Sequence, residues 1–113
     1  MDEKILKWLY DIRNALNEID GYFTNLPLDF TYYKNNTILK RAVERDLEII
    51  GEAVKRILNN DPNFPIENAR RIVGLRNQII HAYDNISDEN IWAIIIKHLP
   101  LLKNEVENMI ENN

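Results

Sequence analysis

Apolar residues recur at Ile5, Leu9, Ile12, Leu16, Ile19 and Phe23, in alternating steps of four and three. That spacing predicts a helix with one narrow apolar seam, and Gly21 stands near its end. The stretch Thr24 to Asn36 holds Pro27 and two adjacent Asn, so it reads as a connection. Leu28, Phe30, Tyr32 and Tyr33 leave room in it for one helical turn. A second long helix is predicted over residues 37–58. Its stripe of Leu39, Val43, Leu47, Ile50, Val54 and Ile57 is broadened by Ile38, Ala42, Ile49 and Ala53, wide enough to be covered from two sides. Pro62 and Pro65 in NNDPNFP remove backbone donors and stop it. A third helix is expected over residues 66–82. Ser87 reads as the N-cap of a fourth, with Asp88 and Glu89 in its first turn. Ile91, Trp92, Ile94, Ile95, Leu99 and Leu102 line that helix, Pro100 must kink or break it, and Val106, Met109 and Ile110 continue the face beyond. No strand-like alternation and no internal repeat stands out. The expected architecture is a single all-α domain over residues 1–113, an up-down bundle of four to five helices.

Composition narrows the function more than the fold. The chain has no Cys, which excludes disulfides, thiolate metal sites and Cys nucleophiles. With two His, a zinc site within one chain would lean on carboxylates, so no metal and no cofactor is expected. Three Gly form no phosphate-cradling loop, against P-loop and Rossmann nucleotide sites. No apolar run approaches the length of a membrane span, and MDEKILKW lacks a signal-peptide core, so the expectation is a cytoplasmic protein. The net charge of −4 at first argues against nucleic acid. Its distribution matters more, because residues 65–83 carry Arg70, Arg71 and Arg76 against Glu67 alone. Three Arg on one helix are either a solvated face or a phosphate site, since the guanidinium fork suits phosphate oxygens.

The informative segment is RNQIIHAY, residues 76–83. Asn77 and His81 are four apart on a helix and share a face, and Arg76 and Tyr83 are seven apart. Arg76 and His81 frame Asn77, while Ile79 and Ile80 fill the core side. One helix end thus offers a cation, an amide, an imidazole and a phenol to one concave region. The set suits phosphodiester chemistry without metal: His moves protons and Arg holds charge building on phosphate oxygens. The plainer alternatives are a His settled against the helix C-terminal dipole and a Tyr that simply packs.

Arg-Asn-x3-His-x-Tyr on a late helix of a small all-α chain resembles the HEPN superfamily, and most closely the HepT-like toxins encoded beside a minimal nucleotidyltransferase. Arg76, Asn77 and His81 match that group's active-site motif, and Tyr83 matches its following Tyr. IIGEAVKRI, residues 49–57, resembles the family's second long helix, and Ile86–Trp92 with Leu99-Pro100-x-Leu102 resembles its last. The resemblance implies a two-fold homodimer with the two motif helices at a shared cleft. It implies a metal-independent endoribonuclease acting on RNA, the toxin of a type VII toxin–antitoxin pair. Arg76 and His81 would be catalytic, and Asn77 would position phosphate or the His ring. It also implies silencing by the partner nucleotidyltransferase, which adds AMP to Tyr83. The chemistry gives its own reason for a dimer, because in-line transesterification benefits from both an acid and a base and one chain carries one motif His.

Other residues admit bland readings beside functional ones. Glu52 either orients Arg76 or His81 from the neighbouring helix or is solvated, and Arg70 and Arg71 are possible supporting cations. Gly51 and Gly74 mark close helix packing. Phe30, Tyr32 and Tyr33 fit a core or dimer-seam role better than base stacking. His98 has no polar set around it in sequence and reads as structural, and Trp8 and Trp92 as packing residues. The rival to an RNA-cleaving toxin is a non-catalytic helical module that docks a nucleotidyltransferase. A third reading is a nucleotide-binding protein using Arg70, Arg71 and Arg76.

Overall fold

The computed structural model describes residues 1–67, 69–81 and 87–113, excluding the side chains of residues 70, 76 and 78–81. Among the described residues the secondary structure is entirely helical. Helix α1 spans Glu3–Asn25, and the Asp2 carboxylate caps it by accepting from the Lys4 N–H at 2.7 Å. The predicted seam is its buried face: Ile5, Leu9, Ile12, Leu16 and Ile19. It ends at Leu26, which is extended ahead of Pro27.

The connection does contain a short helix, α2, Phe30–Asn35, capped by Asp29. Tyr33 on it is fully buried, and its ring lies 5.4 Å from that of Trp92. Phe23 and Phe30 contact the same indole at 5.9 and 6.0 Å. Tyr33 is core, and Phe23, Phe30 and Trp92 are partly buried against it.

Helix α3, Thr37–Asn60, is the axis of the molecule. Its wide stripe is covered on one flank by α1 and on the other by α4, Ala69–His81. Gly51 is buried along it. The expected start of the third helix at Ile66 moves to Ala69: Ile66 is buried in the incoming turn instead. Its expected last residue, Ala82, lies outside the described residues. Gly74 marks no close packing within the protomer: a methyl group added there meets nothing within 4 Å among the described residues.

Ser87 caps α5, Asp88–Ala93, by accepting from the Asn90 N–H. The interruption expected at Pro100 takes the form of a π-helical turn over Ile94–His98, after which α6 runs from Leu99 to Glu111. Proline has no N–H and its ring crowds the carbonyl four residues back. The chain passes it by widening, so the Leu99 N–H bonds to the Ile94 carbonyl. α6 packs on α1, and Lys103 clamps the pair through Asp20 at 2.6 Å. Lys40 on α3 ties down Asp88 at 3.1 Å. α4 on α3, α3 on α1 and α1 on α6 make an open ring whose last seam, between α4 and α6, is bridged by side chains.

Candidate active site

Residues 76–81 of the sequence motif lie on α4. The helix runs unbroken from Ala69 through Arg76 and Asn77 to His81. Position 81 is therefore about 7.5 Å further along the axis than position 76. The helix is held against α3 by Ala69 and Leu75, both buried. Asn77 is exposed. The side chains of Arg70, Arg76 and His81 lie outside the described part of the structure, and so does the whole of Tyr83.

Glu52 lies on α3, half-buried, and pairs with Arg56 Nε at 3.3 Å. It belongs to a charged groove between α1 and α3, shared with Asp11, Arg45 and Glu48. It is therefore not simply solvated.

Arg71 does not stand on the side of the helix that carries Arg76. At 100° per residue the two positions are about 140° apart. Arg71 is exposed on the α6 side, where its Nη1 lies 3.5 Å from His98 Nε2. The reading of His98 as isolated from polar groups fails here. Its partner is 27 residues away in sequence and adjacent only in space. The π turn that ends at His98 is the one local signal that precedes it, and Pro100 announces that turn.

Among the described residues no group of three or more His, Asp or Glu side chains converges as metal ligands would. No described helix is long and apolar enough to cross a membrane. One buried carboxyl does stand out. Asp46 is 2% exposed and accepts from the Tyr22 hydroxyl at 2.6 Å. Burial pushes its pKa above the usual carboxylate value and Glu18 adds to that, while the Tyr22 bond and Arg45 oppose it. It joins α1 to α3 inside the bundle.

Residues 12–109 match the family described as "Ribonuclease HepT-like". A Methanocaldococcus jannaschii protein named "Putative RNase MJ1380" is 39% identical over 102 residues, covering 88% of this chain and 91% of its own. A Thermococcus cleftensis protein named "Probable ribonuclease HepT" is 32% identical over 107 residues, covering 90% and 92%. No solved structure matches.

Proposed function

Because the chain belongs to the HepT-like ribonuclease family, we propose that it is a metal-independent endoribonuclease whose chemistry rests on Arg76 and His81. The observation that supports the reading is the unbroken course of α4 through Arg76 and Asn77 to His81, which keeps the three in fixed helical register. In the reaction His81 takes the proton of a ribose 2′-hydroxyl, and the 2′-oxygen attacks the adjacent phosphorus. The bond from phosphorus to the 5′-oxygen breaks, and that oxygen takes a proton from an acid. The products are a 2′,3′-cyclic phosphate and a 5′-hydroxyl. Arg76 offsets the charge that builds on the phosphoryl oxygens, and Asn77 positions the phosphate or the imidazole. A second copy of the chain, related by a two-fold axis, supplies the acid, so the active form is a homodimer.

The same reading makes the protein the toxin of a type VII pair. A partner nucleotidyltransferase would silence it by adding AMP to Tyr83, two residues beyond His81. The adduct brings bulk and negative charge to the place that must receive RNA phosphate. Growth of cells expressing the chain tests the proposal. Wild type should arrest growth, and His81→Ala should not. Co-expressed partner should rescue wild type but not Tyr83→Phe. Harmless wild-type protein made in soluble form would overturn the toxin reading, and equal rescue of wild type and Tyr83→Phe would overturn the tyrosine switch.

A further inference from the structure

α1 packs on α6, yet an open groove of about 550 Å³ runs between α1 on one side and the π turn with the start of α6 on the other. Leu16, Ile19, Ile95 and Leu99 are buried at its floor. Its rims carry Leu28 and Ile96, which are 61% and 42% exposed. Leu28 follows α1 in the chain and Ile96 lies in the π turn, so each rim holds one exposed aliphatic side chain. Two of the lining residues are charged, Asp20 on α1 and Lys103 on α6. They pair at 2.6 Å.

Single exposed aliphatics are ordinary on a protein surface. Two on the rims of an apolar groove make a continuous patch, and such patches mark contact surfaces. The charge of the groove says which contact. The chain has a formal net charge of −4, so two copies repel on average. The groove is neutral, because its one cation and one anion cancel, and they stand on opposite walls. A two-fold axis running along the groove lays α1 of one copy over α6 of the other. That single operation sets Asp20 of each copy beside Lys103 of the other, and Leu28 of each beside Ile96 of the other. An isologous contact needs a surface that complements itself in this way. A groove built for a charged segment of another protein would carry an excess of the opposite sign, and this one carries none.

We propose that the α1/α6 groove is a second self-association surface, on which the groove of one chain closes over the groove of another. It lies on α1 and α6 rather than on the motif helix α4, so it adds to the dimer proposed above instead of replacing it. Eleven described residues line the groove, about half the 20–30 a side of a standard interface. The contact is therefore weak, and it joins dimers into tetramers only well above micromolar concentration.

The test is sedimentation of the full chain from about 10 µM to about 1 mM. The mass of the wild type should rise with concentration towards twice its starting value. Leu28→Asp and Ile96→Asp each place a carboxylate in the apolar contact and should weaken association about tenfold or more. Both side chains are exposed in the single chain, so melting temperatures should change little. A charge exchange tests the arrangement itself. Asp20→Lys chains carry two cations at the groove, and Lys103→Asp chains carry two anions. Neither should associate with itself through the groove, and an equimolar mixture of the two should recover association. A mass that stays flat up to the highest concentration would overturn the proposal and leave the groove to a protein of another sequence. A rise that survives both Leu28→Asp and Ile96→Asp would overturn it too, as would a charge-exchanged mixture that fails to associate. The readout needs no RNA and no turnover. A chain that starts as a monomer and doubles through the groove keeps this proposal and loses the catalytic dimer. A chain that cuts RNA and stays a dimer at every concentration loses this proposal alone.

Discussion

Two tyrosines near the core show how differently one hydroxyl can act. Tyr22 donates to the buried Asp46 carboxylate at 2.6 Å. Tyr33 is fully buried, and its hydroxyl has no hydrogen-bond partner among the described residues. Burial pushes both phenols to higher pKa. Tyr22→Phe removes a bond to a charged acceptor and should cost about 1.5–3 kcal/mol. Tyr33→Phe removes a desolvated, unpaired group and should be neutral or stabilising by about 1 kcal/mol. Denaturant melts of the two variants check this, and the reverse order would contradict it. Asp46 adds a pH signature. Its proton is held more tightly in the folded state than in the unfolded chain, because burial raises its pKa. The folded state therefore binds more protons between the ordinary carboxylate value and the raised one, and stability falls as pH rises through that window. Asp46→Asn keeps an acceptor for Tyr22 and carries no charge. It should flatten that slope and raise the melting temperature at neutral pH. A variant less stable than wild type at neutral pH would contradict this account of the pair.

At the scale of elements, Gly74 offers the cleanest measurement. It lies inside α4, where Gly costs about 1 kcal/mol relative to Ala, and a methyl there meets nothing within 4 Å. Gly74→Ala should stabilise an isolated protomer by up to about 1 kcal/mol. If α4 meets its copy across a two-fold axis at this position, the same change should instead weaken dimerisation. Melting and sedimentation on one sample separate the two effects. The long helices were legible because steps of three and four mark a seam, and the seams of α1 and α3 are the buried faces observed. The caps at Asn36 and Ser87 follow from side chains that accept from nearby N–H groups, and of these Ser87 was readable. The start of α4 was not. Ile66 fits the apolar pattern, yet it packs before the helix begins, since periodicity reports burial and not backbone state. The π turn was legible only as an interruption at Pro100. Its form depends on which carbonyl the displaced N–H can find. The Arg71–His98 pair was illegible, because nothing in either segment encodes the spacing of α4 from α6.

For the whole molecule, the fold carries Arg76, Asn77 and His81 along one unbroken helix packed on α3. A single copy carries one motif imidazole, so chemistry that needs an acid and a base calls for two copies. Sedimentation at micromolar concentration should find a dimer, and a monomer there would contradict the shared cleft. A mixture of Arg76→Ala and His81→Ala chains, each inactive alone, should recover part of the activity after refolding together if each site draws Arg76 from one copy and His81 from the other. The proposal that Arg76 and His81 cut RNA without metal meets its most direct test in the products. Purified chain is incubated with single-stranded RNA in EDTA, and the new ends are identified by mass spectrometry. The expected result is 2′,3′-cyclic phosphate, or the monophosphate from its hydrolysis, with 5′-hydroxyl ends, and no product from His81→Ala. Cleavage that requires magnesium, leaves 5′-phosphate ends, or persists in His81→Ala would contradict it.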